Sequence, residues 1–431
     1  MPPRQPRKFD KRKSSGKSSK KPTRRKKSTF PLDPSHTLQR ELDVTSDEKL
    51  PLAKLKAFVR HPTVFRKRIA SVDDSAQHGD LVRVVSDSGD KIGLGIWNPR
   101  AESTIRILKW GDFSITKRDW QQNVARAIRL RHDDLKLTQS TNAYRVIHAE
   151  GDGFPGIVAD VYGDVLSVEA FSLGMFQRSQ AFASLLSRQL KIPHWIVRPG
   201  PMTYEQEGFI ADGFQSGKVP ESVVVTEHGT KFEVHPFEGH KTGYFCDQRD
   251  NRQKIREFCK GKSVLDLCCY TGGFAINCAL AGAASVTAVD LDEDAIRQAR
   301  RNAKLNHAAV KFIHADTFSY LRDSIRNKQF FDVVILDPPK LIRSRNEFDD
   351  GKQKYYDMNQ LASEVVSPDG FLVSCSCSGL LSMTDFTYNV RAATGNRLPQ
   401  IIMRTQAGAD HPVAGNCLES EYLKCLWMKM R

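Results

Sequence analysis

Long apolar runs are absent from this sequence of 431 residues, and their absence excludes one class of protein. No segment approaches the roughly 18 consecutive apolar residues that a membrane-spanning helix requires, so we predict no membrane span. An apolar segment is also missing after the first residues, Met1 to Lys8, and we therefore expect no secretory signal peptide. The length exceeds the usual domain of about 100–200 residues, which predicts two or three domains.

Cysteine is absent from the first 245 residues, whereas nine cysteines lie between Cys246 and Cys425. An odd number without dispersed spacing does not suit a disulfide framework and indicates a reducing, cytoplasmic setting. The adjacent pair at 268–269 and the Cys-x-Cys pair at 375–377 occur once each, without a companion Cys-x-x-Cys or His-x3-His motif. We therefore predict no metal site.

Acidic residues are scarce at the start of the chain, where the first 30 residues contain 13 Lys or Arg and one acid, Asp10. These residues supply +12 of the net charge of +15, so the other 401 residues carry only +3. Because the segment has little apolar material to bury, we predict a disordered basic tail over residues 1–48. Binding to polyanions through counterion release is the preferred interpretation. A solubility tail and a mitochondrial presequence are the alternatives, and the presequence lacks an amphipathic stripe.

The remainder of the chain changes its pattern twice, which predicts three folded domains. Residues 49–118 show period-two alternation between turn signals and predict a small β-barrel. Residues 119–222 mix helical and strand patterns, including helices over 120–137 and 176–190, and predict an α+β domain. From residue 223 to 431, strands and helices are expected to alternate, which predicts a doubly wound parallel sheet of the α/β class.

The loop after the first strand of that sheet is the first candidate for a binding site. The predicted strand Ser263–Leu267 is followed by a loop with Tyr270, Thr271 and Gly272, and a helix is expected from Phe274. Ligands of such folds bind beyond the carboxyl ends of the strands. The loop lacks the first two glycines of the Gly-x-Gly-x-x-Gly dinucleotide motif, which favours a ligand without phosphates over a nicotinamide dinucleotide.

Four successive strands of the predicted sheet each end near a carboxylate. They are spaced by about one βαβ repeat, and the residues are Asp266, Asp290, Asp316 and Asp337. Carboxylates at this edge can accept hydrogen bonds from amino groups and ribose hydroxyls, and they would repel phosphates. The alternative interpretation is that each aspartate caps the helix that follows it.

At this point the sequence resembles a known family. The segments 266–275 and Asp290 resemble motifs I and II of class I S-adenosylmethionine-dependent methyltransferases, and Asp337-Pro338-Pro339-Lys340 resembles motif IV. Further segments make the chain resemble, more closely, the large-subunit rRNA cytosine-5 methyltransferases. These segments are Lys241–Arg249, Ser376–Leu380, Asp410–Val413 and Glu421–Lys424. The resemblance runs from about Leu50 to the end of the chain and departs from the family pattern at His240 and at Cys268-Cys269.

The resemblance implies a PUA-like RNA-binding barrel, a central α+β domain and a Rossmann-like methyltransferase domain. It implies S-adenosylmethionine as the cofactor and motif IV as the element beside the target base, with Pro338, Pro339 and Lys340 as substrate-binding candidates. The barrel segments Arg60-His61-Pro62 and 79–82 resemble PUA domains. The cofactor-binding candidates are Asp266, Tyr270, Thr271, Gly272, Asp290, Asp316 and Asp337.

Methylation of carbon 5 of a pyrimidine requires a cysteine nucleophile, because that carbon is activated by addition of a thiolate to carbon 6. Cys377 is the preferred candidate, since it lies nearer the carboxyl end of its predicted strand than Cys375, which we expect in the core. Asp337 is expected to contact the target base. Lys241 and Arg249 are expected either to close over the ligands or to form internal ion pairs, and the base that removes the carbon-5 proton is not identified.

The preferred function is therefore an S-adenosylmethionine-dependent enzyme that makes 5-methylcytosine in large-subunit rRNA. The alternatives are an RNA methyltransferase acting on a guanine or adenine nitrogen, with Cys377 inert, and a non-catalytic RNA-binding factor for ribosome assembly. The predicted partner is large-subunit rRNA, without a membrane or a metal, and the sequence leaves a homodimer open.

Overall fold

The computed structural model describes residues 30–42, 49–237 and 244–431. The strongly basic residues before Phe30, and the segment that contains His240, Lys241, Thr242 and Gly243, lie outside the described residues. No helix in the described part of the chain is long and apolar enough to cross a membrane.

The N-terminal domain is a six-stranded β-barrel. Its sheet order is β2-β6-β5-β4-β1-β3, with one parallel pair, β1–β4, among antiparallel pairs. Side chains that alternate along the strands form its core, among them Val82, Val84 and Ile105. The strands are β1 (Leu52–Leu55), β2 (Thr63–Val64), β3 (Ile69–Val72), β4 (Leu81–Val85), β5 (Lys91–Trp97) and β6 (Ile105–Trp110).

Residues 30–42, which the sequence assigned to the disordered tail, lie against the folded body instead. Arg40 forms an ion pair of 2.6 Å with Asp80 of the barrel, and Gln39 donates a hydrogen bond to the Phe176 carbonyl. Leu42 is buried in the core of the central domain. The prediction of disorder is wrong for residues 30–42, because this polar segment contains Leu42, which packs into the core of the central domain.

The central domain packs helices on a five-stranded sheet of order β11-β10-β9-β8-β7. At its centre the ring of Trp120 stacks on that of Phe154, and Phe182 meets both rings edge to face. Its helices are α1 (Lys117–Arg129), α2 (Leu173–Phe176), α3 (Ser179–Leu190) and α4 (Thr203–Glu207). Its strands are β7 (Ala143–His148), β8 (Ile157–Tyr162), β9 (Val165–Ala170), β10 (His194–Pro199) and β11 (Phe214–Gln215).

Both predicted helices of this domain differ in extent from the sequence pattern. Helix α1 begins earlier, because Thr116 and Asp119 form a capping box, and a π-helical turn over Leu130–Asp134 replaces its last turns. That turn places Arg131 inside the protein with no exposed surface. The second helix is interrupted after α2, so α3 begins only at Ser179.

Regular alternation of strands and helices begins at Ser263 and not at residue 223 as predicted. Residues 223–234 form an antiparallel hairpin of β12 (Val223–Glu227) and β13 (Thr230–Val234), which is a separate two-stranded sheet. Val225, Phe232 and Val234 pack in a small core between the hairpin and its neighbours. Strand patterning alone does not distinguish such a hairpin from the first strands of a parallel sheet.

The C-terminal domain is a seven-stranded sheet of order β16-β15-β14-β17-β18-β20-β19. Strands β14 to β18 are parallel, and β20 is antiparallel to both β18 and β19. The predicted α/β, doubly wound fold is confirmed with this antiparallel edge. The strands are β14 (Ser263–Leu267), β15 (Ser285–Asp290), β16 (Lys311–His314), β17 (Phe331–Leu336), β18 (Val366–Ser376), β19 (Gln400–Thr405) and β20 (Lys424–Lys429). The helices are α5 (Arg249–Ile255), α6 (Gly273–Leu280), α7 (Glu293–Leu305), α8 (Thr317–Arg326), α9 (Phe348–Glu364) and α10 (Met383–Ala393).

The chain runs outward from β14 through β15 to β16 and then returns to β17 on the other side of β14. The crevice between the carboxyl ends of β14 and β17 is thus a topological switch point, where ligands of open α/β sheets bind. Asp266 and Asp337 belong to these two strands or directly follow them. The fold therefore directs attention to the same edge as the sequence motifs.

A buried group of charged residues joins the central and C-terminal domains, and we call it the ionic seam. Arg249 donates two hydrogen bonds of 2.9 Å to the Asp410 carboxylate. The Asp410 carboxylate also accepts a hydrogen bond from the backbone amide of Arg145. The backbone carbonyl of Asp410 accepts one from the Arg131 guanidinium. The internal ion pairing that the sequence left open for Arg249 is thus confirmed. The seam consists of Arg131, Arg145, Asp152, Asp160, Arg249 and Asp410.

Candidate cofactor and catalytic site

Asp266 connects the end of β14 to the start of α6. Its Oδ2 accepts a hydrogen bond of 2.9 Å from the Ala275 amide, one of the unpaired amides of the first helical turn. Its other oxygen, Oδ1, is buried and has no hydrogen-bond partner among the described residues. Burial, together with nearby Asp337 and Asp290, raises the pKa of this carboxyl well above its ordinary value. A buried acceptor without a partner is what a ligand donor would complete.

The loop between β14 and α6 has an unusual backbone. Cys268 and Tyr270 have positive φ angles of 60° and 47°, a region that residues other than glycine rarely adopt. Gly272 has φ +84°, and a Cβ there would lie 3.3 Å from the Ala299 and Ile276 side chains. Such conformations persist where the surroundings impose them and often occur at ligand sites.

Asp290 holds this loop at the end of β15. Its Oδ2 accepts a hydrogen bond of 2.7 Å from the Tyr270 amide, and its Oδ1 accepts one of 2.9 Å from the Asp292 amide. Asp292, and not Asp290, provides the side-chain cap of α7. The carboxylate of Asp290 therefore sets the position of Tyr270 rather than the start of the next helix.

Asp316 differs from the other three aspartates. Its carboxylate caps α8 by accepting hydrogen bonds from the Ser319 amide and hydroxyl at 2.9 and 3.0 Å, and the residue is exposed. The capping alternative is therefore confirmed for this residue. A cofactor contact by Asp316 stays a prediction.

Asp337 follows β17 and is oriented by Gln248, a residue to which the sequence analysis assigned no role. The Gln248 side chain donates a hydrogen bond of 3.0 Å to Asp337 Oδ2. Asn251 of α5 in turn donates one of 2.6 Å to the side-chain oxygen of Gln248, Oε1. Both amide side chains are buried. Gln248 lies within the 241–249 segment that carried the family resemblance, and this was the available signal.

Cys377 lies directly beyond the last residue of β18. It is half-buried, as is Cys268, whereas the other seven cysteines are buried. Cys375 faces Cys425 across the sheet, and burial raises its pKa well above the ordinary value. The expectation that Cys375 lies in the core is thus confirmed. In the β17–β18 register Leu336 pairs with Ser374, so Cys377 and Asp337 emerge at the same edge.

Hydrogen bonds fix the backbone on both sides of Cys377. The Ser376 hydroxyl donates to the Tyr355 oxygen at 2.9 Å, and the Tyr355 and Ser378 hydroxyls are hydrogen-bonded at 3.0 Å. Burial raises the pKa of Tyr355 to about 12, so its phenol stays protonated at neutral pH. Lys424 Nζ donates to the Ser378 carbonyl at 2.7 Å. The Ser-Cys-Ser segment is therefore held rigidly at the edge of the sheet.

A depression of about 310 Å³ adjoins motif IV. Pro338 is buried, whereas Pro339 and Lys340 are exposed at its side. Three cationic side chains and two acidic ones line it, which suits contact with an anionic chain that also carries hydrogen-bond donors. The lining residues are Lys340, Leu341, Arg343, Glu347, Asp350, Gly351 and Lys354.

His61 of the barrel faces the loop that precedes β20. Its Nε2 lies 2.6 Å from Glu419, and the possible ligand atoms of His61, Cys417 and Glu419 lie within 4.8 Å of one another. Asn416 of the same loop donates to the Arg60 carbonyl. These contacts connect the barrel to the C-terminal domain, and His61 is a packing residue of that contact.

Comparison with known proteins identifies the family. The family model described as S-adenosylmethionine-dependent methyltransferase matches residues 144–408, and that of the PUA-like domain matches residues 53–110. The chain belongs to the S-adenosylmethionine-dependent methyltransferases. This methyltransferase is 35% identical over 375 residues to ribosomal RNA large subunit methyltransferase I of Shewanella frigidimarina, covering 85% of this chain and 94% of that protein. The protein of the same name from Pseudoalteromonas atlantica is 34% identical, with coverages of 86% and 95%.

Solved structures support the fold. A chain described as a SAM-dependent methyltransferase from Streptococcus mutans superimposes with a TM-score of 0.75 at 19% identity, covering 88% of this methyltransferase and all of that chain. A methyltransferase structure in complex with SAH gives the same TM-score at 20% identity, with coverages of 86% and 96%. At these identities the likeness concerns the fold alone.

The residues at the sheet edge fit the cofactor of this family. S-adenosylmethionine carries amino groups and ribose hydroxyls, and the unpartnered Asp266 Oδ1 is an acceptor for such a donor. Asp290 ends β15 and Asp337 directly follows β17, and they place two further carboxyl groups at the same edge of the sheet. Gly272 lets the loop pack closely against Ala299, Ile276 and Phe312 at the start of α6, since a Cβ there would lie 3.3 Å from each of them.

Proposed function

We propose that this methyltransferase transfers a methyl group to carbon 5 of a cytosine in large-subunit rRNA through a covalent bond to Cys377. The proposal follows from the half-exposed thiol beside motif IV, within a segment held by Ser376, Ser378 and Tyr355. The names of the relatives support rRNA as the substrate. An rRNA substrate agrees with the cytoplasm as the site of action.

In this mechanism the Cys377 sulfur adds to carbon 6 of the cytosine and forms a C–S bond. The π electrons of the ring shift to carbon 5, which becomes nucleophilic. The cofactor, when bound, supplies an electrophilic methyl group on a sulfonium. Loss of the carbon-5 proton restores the ring double bond and releases the thiolate.

Asp337 would contact the target base at this edge. Because Gln248 occupies Asp337 Oδ2 with a hydrogen bond, the carboxylate keeps one orientation, as a positioned contact requires. The depression near Lys340, Arg343 and Lys354 would bind the phosphates that flank the cytosine. The PUA-like barrel would hold structured RNA at a distance from the reacting base.

The test compares two serine substitutions on the same strand. Cys377→Ser should abolish methyl transfer from tritiated cofactor to large-subunit rRNA, whereas Cys375→Ser, in the core, should keep most of it. Analysis of the nucleosides should find the label in 5-methylcytosine. Continued transfer by Cys377→Ser, or label in a guanine or adenine, would replace this proposal with methylation of a ring or amino nitrogen.

A further inference from the structure

Lys424 is a buried lysine that forms no salt bridge with a carboxylate of the described residues. Its side chain is 1% exposed, and no carboxylate oxygen of the described residues lies within 4.0 Å of its Nζ. A buried ammonium without a counter-ion is unfavourable, and lysines are rarely buried unless they are paired. The position of this amine therefore requires another explanation.

The sheet register places Lys424 beside the Ser-Cys-Ser segment. Lys424 is opposite Ser376 in the antiparallel β18–β20 pair, and its Nζ donates to the Ser378 carbonyl at 2.7 Å. The lysine thus contacts the segment on both sides of Cys377. Because the strand register and this hydrogen bond both fix its position, the amine cannot move away without breaking them.

The charged and titratable groups around Lys424 come from several elements. Burial lowers its pKa to about 8, while Cys377, Glu421 and Cys425 favour its charged form and Lys340 of motif IV opposes it. Tyr355 of α9 is hydrogen-bonded to Ser376 and Ser378, the two residues that flank Cys377, and its phenol stays neutral near pH 7. An amine in this range exchanges protons near neutral pH.

We propose that Lys424 converts the Cys377 thiol into a thiolate and keeps it beside an ammonium. This inference rests on the proposed function, in which Cys377 is the nucleophile. Lys424 does not touch the cytosine, so it is a positioning residue that acts through the sulfur. It explains how the thiol of Cys377 becomes nucleophilic at neutral pH.

The proposed step is a proton transfer from the Cys377 thiol to the Lys424 amine. The S–H bond of Cys377 breaks, its proton forms an N–H bond on the Lys424 amine, and its electron pair stays on sulfur. That pair then forms the bond to carbon 6 of the cytosine. When the product leaves, the pair returns to sulfur as a thiolate, still facing the ammonium.

The test measures the alkylation of Cys377 by iodoacetamide as a function of pH in the full-length protein. Fragment-ion spectra distinguish Cys377 from Cys375 in the same peptide. In the unaltered protein the half-maximal rate should fall at least about one pH unit below the ordinary cysteine value of roughly 8.5. Lys424→Met should move this midpoint up by about one unit, which lowers the rate at pH 7 by about tenfold.

Two further variants control the result. Lys429→Met changes the same residue type at the other end of β20, where Lys429 pairs with Asp369 at 3.3 Å, and should leave the midpoint unchanged. Lys424→Arg cannot accept the thiol proton but keeps a cation beside the thiolate, so it should retain most of the low midpoint. Thermal unfolding and cofactor binding of each variant show whether it is folded.

The inference is overturned if the unaltered protein has a midpoint at or above that of an ordinary cysteine. It is also overturned if folded Lys424→Met has the same midpoint as the unaltered protein. If Lys424→Met does not fold, the midpoint of the unaltered protein alone decides whether the inference stands. The proposed function fails separately, if Cys377→Ser still transfers methyl groups, whatever the alkylation profile shows.

Discussion

Asp410 and Asp266 are both fully buried in this methyltransferase, and they have opposite electrostatic surroundings. Asp410 lies in the ionic seam, and Asp266 lies at the sheet edge. Burial alone would raise both pKa values, but His411 and Arg249 hold the pKa of Asp410 well below its ordinary range. Among the described residues no cation compensates Asp266, and burial raises its pKa well above the ordinary value.

The difference separates a structural use of charge from a functional one. In the seam each carboxylate has a guanidinium within hydrogen-bond distance, so the charges stabilise one arrangement of two domains. At the sheet edge the carboxylates accept hydrogen bonds from uncharged amides instead: Asp290 from the Tyr270 backbone and Asp337 from the Gln248 side chain. Asp266 Oδ1 has no partner among the described residues. We propose that this edge receives the sulfonium cofactor.

The largest expected effect on stability is in the seam. Asp410→Asn removes the negative charge between Arg249 and His411 and should lower the free energy of unfolding by about 3–5 kcal/mol, the usual loss when a buried pair is broken. Denaturant unfolding measures it. Asp369→Asn, at an exposed residue, is the control and should change stability by less than about 0.5 kcal/mol. A small effect of Asp410→Asn would mean that the seam is no more than a surface contact.

Asp266→Asn tests the edge, and its main effect should be on the cofactor. The variant keeps an oxygen for the Ala275 amide but loses the charge, and S-adenosylmethionine affinity should fall by about 10- to 100-fold, since a hydrogen bond to a charged group contributes about 1.5–3 kcal/mol. Calorimetric titration checks this. Unchanged affinity would show that the unpartnered oxygen does not face the cofactor.

The same variant has a pH signature of defined sign. Because the folded state raises the pKa of Asp266, it favours the protonated form, and its contribution to stability is lost as pH rises above the unfolded value of 3.8. Relative to the unaltered protein, Asp266→Asn should therefore gain stability between about pH 4 and 7. Unfolding measured across this range in both proteins gives the difference, and a constant difference would contradict the account.

The smallest expected effect is at Asp316. Asp316→Ala removes the cap of α8 and should lower the free energy of unfolding by about 1 kcal/mol, the usual contribution of a helix N-cap. Asp316→Asn retains a capping oxygen and should restore stability. If Asp316→Asn restores stability but not cofactor affinity, the predicted cofactor contact is supported as well.

Sequence patterns predicted the parts of the site that depend on local spacing. Strand ends recur with the βαβ repeat, so the positions of Asp266, Asp290 and Asp337 followed from the sequence. Cys377 was separated from Cys375 because it lies nearer the carboxyl end of their strand. The sequence could not decide whether Asp316 caps a helix, because Asp suits both roles.

Contacts between residues that are distant in the sequence could not be predicted. Gln248 meets Asp337 across 89 positions and Arg249 meets Asp410 across 161, and no local pattern encodes such pairs. Lys424 belonged to a segment that carried the resemblance, but only the antiparallel register of β20 shows that it lies beside Cys377. The hairpin at 223–234 was missed because its strands resemble those of the sheet that follows.

The most direct test of the central claim traps the covalent intermediate. Large-subunit rRNA that contains 5-fluorocytidine has no carbon-5 proton to lose, so the enzyme and the RNA should stay joined after methyl transfer. We expect a stable complex that forms only with the cofactor present. We also expect an RNA-linked peptide that carries the modification on Cys377. Efficient methylation of ordinary rRNA without any such adduct on the fluorinated RNA would contradict it.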